Sequence, residues 1–135
     1  MGAKRFLVVP LLLAMGCKPP TPSEQMDTIV SWVSTAKMAG DAWLRHTTPD
    51  KYTSQTLKLS DEMLLQTGSE LLKSRPPSID SAAFDRALTS TRFNIAEMAR
   101  FVDAKEADRF RQPWDSLRIY LRIMKDFSDS AESSK

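Results

Sequence analysis

The sequence predicts an all-α protein, an antiparallel up-down-up-down four-helix bundle that follows a removable leader and a short proline-rich tether. Three observations carry this prediction. Only four glycines occur in 135 residues, while Leu, Ala, Met, Lys, Arg and Glu are abundant, a composition that favours helix over sheet. Apolar residues recur at i, i+3, i+4 and i+7 in four stretches of similar length, the period of a single buried helix face. Helix start and stop signals separate those stretches, and the short connections make antiparallel neighbours the economical arrangement. The boundaries are a leader over 1–16, a tether over 17–22, the bundle over 23–128 and a polar tail over 129–135. A three-helix arrangement with one broken helix is the alternative.

The first helix opens on Thr21-Pro22-Ser23-Glu24, with Thr as N-cap, Pro at the first helical position and Glu at the third. Its buried face runs through Met26, Ile29, Val30, Val33, Ala36, Gly40, Trp43 and Leu44, widened by Trp32 and Ala39, and it ends near 45–47. The second helix opens on Thr48-Pro49-Asp50, again with Pro suited to the first helical position. Tyr52, Leu59 and Met63 mark one edge of its buried arc and Leu57, Leu64 and Leu71 the other. Thr56, Ser60 and Thr67 lie between them, so this helix packs small polar groups inward or has a loose core. Arg75-Pro76-Pro77 stops it, because the residue before proline leaves the helical region.

The third helix begins at Ser78 or Asp80 and carries a narrow stripe of Phe84, Ala87, Leu88, Thr91, Ile95, Met98 and Val102. Asp103-Ala104-Lys105-Glu106 reads as a capping box that turns the chain into the fourth helix. There Phe110, Trp114, Leu117, Leu121 and Met124 hold their phase straight across Pro113. Either a kinked helix begins near Ala104, or a short helix is followed by a new start at Pro113. The tail after Ser128 is polar and expected to fray.

The N-terminus has a different character. Met1-Gly2-Ala3-Lys4-Arg5 is basic, and an apolar run from Phe6 to Met15 follows, ending at Gly16-Cys17. Ten apolar residues are too few to span a hydrocarbon core, which needs about 20 in a helix, and Pro10 interrupts them. A basic start, a short apolar core and small residues at its end are the pattern of a removable secretory signal. The stretch Leu13-Ala14-Met15-Gly16-Cys17 resembles the lipobox of bacterial lipoproteins, in which a small residue precedes a cysteine that is acylated and becomes the new N-terminus. It departs from the usual pattern at one place, since Ala14 stands where Leu is customary. The resemblance implies a lipidated Cys17, a membrane-anchored protein of the cell envelope and, with Lys18 rather than Asp next in line, the periplasmic side of the outer membrane. Ordinary cleavage after Ala14-Met15-Gly16 is the alternative and leaves Cys17 as a free thiol. N-myristoylation is disfavoured because position 6 is Phe rather than Ser or Thr.

Cys17 is the single cysteine, so no intramolecular disulfide forms, and acylation would consume the odd thiol. Each buried acyl methylene contributes about 0.8 kcal/mol, so two or three chains hold a protein on a bilayer where one does not. Loss of residues 1–16 removes Lys4 and Arg5 from 19 basic residues and none of the 17 acidic ones, leaving a formally neutral chain. Without a concentrated basic block, nucleic acid is not the expected partner.

Catalytic patterns are missing from the sequence. It holds no C-x-x-C-H, no Glu-x-x-His pair, no G-x-S-x-G and no H-E-x-x-H. The five methionines after the leader (Met26, Met38, Met63, Met98 and Met124) are spread over the helices as core fillers would be. The expectation is therefore a non-enzymatic binding module with no cofactor and no metal, working on the membrane or on an envelope protein. A haem- or metal-binding bundle using His46 with core residues such as Met26 or Met124 is one alternative. Another is a peptidoglycan-linked spacer, since Lys135 resembles in position the terminal lysine of murein lipoproteins.

Two surface features are candidates for that binding. Arg111, Arg118, Arg122 and Lys125 fall within about 60° of one another on the fourth helix, a basic strip suited to anionic headgroups or an acidic partner. Asp115 and Asp126 lie beside it at ion-pair spacing. Ile119 and Ile123 point away from the core stripe, as do Phe93, Leu65 and Leu72 on the preceding helices. If contiguous, such residues would mark a partner site or a dimer.

Overall fold

The computed structural model describes residues 18–133. Among them are four helices, α1 (Pro22–Leu44), α2 (Asp50–Ser74), α3 (Ser81–Asp103) and α4 (Ala107–Ser133), with no strands. Each packs against its neighbours in sequence, and α4 returns to close on α1, while the α1–α3 diagonal touches only slightly. This is the predicted antiparallel four-helix bundle. No helix of the described residues is long and apolar enough to cross a membrane.

Local signals explain two of the helix starts. Thr21 caps α1, its hydroxyl accepting from the Glu24 amide at 3.2 Å. Asp80 caps α3, its carboxylate accepting from the Ala83 amide at 3.1 Å. The start of α2 differs from the expectation. Pro49, not Thr48, is the N-cap and Asp50 the first helical residue. Thr48 instead pairs its hydroxyl with Thr53 at 2.9 Å, and Asp50 accepts the Trp43 indole N–H at 2.7 Å. The Asp50 carboxylate thus ties the beginning of α2 to the end of α1.

The turns after α1 and α3 share one geometry. His46 and Lys105 adopt φ of 61° and 58°. The His46 amide donates to Trp43 and the Thr47 amide to Ala42, and Lys105 and Glu106 repeat the pattern onto Val102 and Phe101. These paired bonds satisfy the last carbonyls of each helix in the Schellman arrangement, which ordinarily employs glycine at the left-handed position. Asp103 is the last residue of α3 rather than the start of a capping box, and its carboxylate reaches across to Lys58 of α2 at 3.2 Å. Arg75, also left-handed with φ 43°, ends α2 before Pro76.

The core follows the predicted stripes of α1 and α3 closely. Met26, Ile29, Val33 and Ala36 of α1, and Phe84, Ile95, Met98 and Val102 of α3, are fully buried. Each such large side chain removed from water contributes about 1.5–3 kcal/mol. Phe84 meets Phe127 edge-on with centroids 5.4 Å apart, and Trp43 meets Phe110 at 4.7 Å.

In α2 the buried arc is rotated from the expected one. Leu57, Leu64 and Leu71 lie at its centre, whereas Tyr52 and Leu59 are 60% and 47% exposed. The space is filled by Thr53, Ser54, Ser60, Thr67 and Gly68, so small polar groups do pack inward. Thr53 and Ser60 bond the carbonyls four residues back, at 3.1 and 2.9 Å, which removes the cost of burying their hydroxyls. Small side chains also let α3 come close, since a methyl on Gly68 would lie 2.4 Å from Leu88 Cδ2.

Helix α4 is continuous through Pro113, which is buried. The missing amide of Pro113 withdraws one helical bond from Arg109, and the helix retains its phase because Phe110, Pro113, Leu117 and Met124 all face the core. The helix runs to Ser133 rather than fraying after 128, with Ala131 buried. Ser128 donates to Asp27 of α1 at 3.0 Å, fastening the final turns of α4.

Candidate functional site

The outer face of α4 carries the basic strip. Arg111, Arg118, Arg122 and Lys125 are all exposed, and from Arg111 to Lys125 the strip extends about 21 Å along the axis. Arg118 meets Asp115 at 3.6 Å, with both side chains about two-thirds exposed, a pairing that contributes little in water. Arg111, Arg122 and Lys125 form no ion pair among the described residues. Ile119, 57% exposed, stands one turn from Arg122 at the edge of the strip, and Ile123 is half-buried.

The exposed apolar residues Leu65, Phe93 and Ile119 lie on three different helices. Phe93 is 63% and Leu65 45% exposed on separate helices, and Leu72 packs against the core. The methionines also divide. Met26, Met98 and Met124 are fully buried, but Met38 is 71% exposed, so it is not the core filler expected of it.

Met38 belongs to a groove between α1 and α4 of about 650 Å³, lined by Ser34, Lys37, Met38, Asp41 and Ala42 of α1 and by Trp114 and Leu121 of α4. Trp114 and Leu121 are members of the predicted α4 stripe and do pack against the core. They sit on its flank, half-buried, because Phe110, Leu117 and Met124 take the interior positions. The Trp114 indole N–H donates to the Lys37 carbonyl at 3.0 Å, and the Lys37 ammonium lies 4.4 Å from the Trp114 ring centroid. Gly40 makes room for this ring: a methyl there would lie 2.6 Å from Trp114 Cδ1. Asp41, the one acid in the groove lining, is engaged by Arg45 at 2.8 Å.

Two further clefts are built differently. The α2–α3 cleft, about 360 Å³, is lined mainly by charged residues, including Lys58, Asp61, Arg100 and Asp103. Most of that charge is internally matched, by Lys58–Asp103 at 3.2 Å, Arg92–Asp61 at 2.8 Å and Arg100–Glu97. The Ser54 hydroxyl and then Lys58 hold the Asp103 carboxyl below its ordinary range, against a desolvation that raises it. Of these two neighbours, Lys58 is the one that meets Asp103 in a hydrogen bond of ordinary geometry among the described residues, at 3.2 Å. The α3–α4 cleft is smaller, about 190 Å³, and includes Phe93, Asn94 and Pro113.

His46 is exposed in the α1–α2 turn, apart from the buried Met26 and Met124. Among the described residues no group of three or more His, Cys, Asp or Glu side chains is placed to hold a metal ion. Cys17 and Lys135 lie outside the described residues.

Legibility differed between the two halves of the site. Helical angles alone find the basic strip, but the groove depends on how α1 and α4 dock. Its sequence trace is slight: Met38 is out of phase with the α1 stripe, and Trp114 and Leu121 lie to one side of the α4 stripe. Fold and site together define a class, a helical bundle with an apolar groove beside a basic helix face. Comparison with protein-family models, with curated proteins and with solved structures found no match.

Proposed function

We propose that this chain is a bacterial envelope lipoprotein, anchored through acylated Cys17 on the periplasmic side of the outer membrane, whose helical bundle works by binding rather than catalysis. The observation that carries the reading is the lipobox-like Leu13–Cys17 stretch, followed at once by an exposed, non-helical segment over 18–21 that leads into the capped α1. A proline-rich tether of this kind is stiff, at about 3.1 Å per residue when extended, and would hold the bundle close to its anchor. The exposed strip of Arg111, Arg118, Arg122 and Lys125 supports a role at an anionic surface or for an acidic ligand, each such charge adding about 1 kcal/mol near anionic lipid.

The test is metabolic labelling with a fatty-acid analogue in a bacterial host. Wild type should incorporate label and partition with membranes, and Cys17→Ser should lose both. Label persisting in Cys17→Ser, or a wild type that stays unlabelled, overturns the anchor.

A further inference from the structure

We propose that the α1–α4 groove binds a single-chain anionic amphiphile taken up as a monomer, its acyl chain lying on Met38, Ala42, Trp114 and Leu121 and its acidic head held by Lys37 and Arg118. The inference rests on the reading of the bundle as a binding module, but not on acylation of Cys17.

The floor of the groove is apolar, and the charge at its rim that is not already tightly paired is cationic. An exposed methionine beside a half-buried tryptophan leaves apolar area in water that a hydrocarbon chain would cover. A volume of about 650 Å³ is within the range of small-ligand sites, which are mostly apolar with a few polar groups that fix orientation. The lining itself holds one cation and one acid, Lys37 and Asp41. Lys37 overhangs Trp114 and forms no ion pair among the described residues, while Asp41 is already turned to Arg45. On α4, beside the lining, Arg118 stands one turn from both Trp114 and Leu121 and Lys125 one turn beyond Leu121, the spacing at which helix side chains are neighbours; the 3.6 Å pair of Arg118 with Asp115 is exposed and weak enough for an anion to displace. An acid head placed between Lys37 and Arg118 is therefore met from both helices.

Floor and rim set different requirements. A neutral amphiphile satisfies only the floor, and an inorganic anion satisfies only the rim. Trp114 is held to the α1 backbone by its indole bond, so the floor is preorganised and the ring reports on occupancy.

The experiment uses the mature chain, residues 17–135, with Cys17→Ser so that no attached acyl chain competes. Dodecyl phosphate is added below its micellar concentration and tryptophan fluorescence is followed. Saturable one-to-one binding is expected, at least tenfold tighter than for inorganic phosphate or dodecyl maltoside, with the signal lost in Trp114→Phe. Lys37→Gln should weaken binding about fivefold and Lys37→Arg restore it, a factor of the size one cation contributes. Arg118 is exposed, so Arg118→Gln gives the same test without disturbing the ring. Equal binding of dodecyl maltoside, or unchanged affinity in both Gln variants, overturns the proposal. So does a response only to phosphatidylglycerol vesicles, which would make the face a membrane surface. Self-association that covers Trp114 without ligand would make the occupant a second copy and overturns it too. Failure of binding beside successful labelling at Cys17 would sink the groove and leave the anchor standing.

Discussion

Replacing Gly40 with alanine adds one methyl group on α1 directly against Trp114 and Phe110 of α4. In an open helix interior the change stabilises by about 0.5–1 kcal/mol, because glycine loses more conformational freedom on folding. Here the new carbon would lie 2.6 Å from Trp114 Cδ1, 2.9 Å from Phe110 Cζ and 3.1 Å from Met98 Cε, against ordinary carbon contacts of about 3.5–4.0 Å. Met98 ends in a flexible methyl and can yield. Phe110 is fully buried against Trp43, and Trp114 is fixed by its bond to the Lys37 carbonyl, so α4 must shift outward. Overpacking of this kind costs about 1–3 kcal/mol. Set against the helix-propensity gain, the mid-range net loss is about 1 kcal/mol. Urea unfolding monitored by circular dichroism measures it: with a slope of about 1–1.5 kcal/mol/M for a small domain, the midpoint should fall by roughly 1 M. A midpoint that rises or stays level would show that Trp114 does not depend on a bare backbone at position 40.

Further outcomes follow from the turns and from the one perturbed carboxylate. His46→Gly and Lys105→Gly should each raise stability by about 0.5–1 kcal/mol, since a left-handed non-glycine residue costs about 1–2 kcal/mol and glycine returns part of that to the unfolded chain; a lowered melting temperature in both would refute the turn assignment. Asp103 titrates below its ordinary range in the fold, so its contribution is fully present above the unfolded value near ~3.9 and fades as pH falls through the lowered folded one. Asp103→Asn should therefore cost a little stability at pH 7 and less at pH 2, a small difference because the carboxylate is half exposed. An equal loss at both pH values would show that its contribution is not ionic.

Much of the fold was legible because α1 and α3 carry undiluted periodic signals. Met26, Ile29, Val33 and Ala36, and Phe84, Ile95, Met98 and Val102, needed no knowledge of a partner to be placed inside. The phase of α2 was harder to read: Ser60 and Thr67 lie inward as their positions imply, but Thr53 satisfies its hydroxyl on its own helix and is buried where polarity argues for exposure. The Schellman turns were hidden for a related reason: the left-handed positions hold His46 and Lys105 rather than the glycine that announces them. The tail was misjudged because Ser128 and Ala131 are short residues whose burial is set by the return of α4 to α1. The same docking created the groove, which has no periodic signature within either helix.

The seam between α1 and α4 differs from the others in what it costs the chain to make. The Trp43–Asp50 bond that joins α1 to α2 spans 7 residues, whereas the Trp114–Lys37 bond across the α1–α4 seam spans 77. Closed directly from the unfolded chain, the longer ring would forfeit about 2 kcal/mol more chain entropy, which favours assembly hairpin by hairpin. Helices α1, α2 and α3 can assemble by adding each hairpin to the last, but the final seam joins the two ends of the array and forms only when all the rest is in place. It is the natural place for the bundle to unzip. Anything seated across it acts as a staple, so the groove lies where occupancy has the most leverage over how long the bundle stays closed.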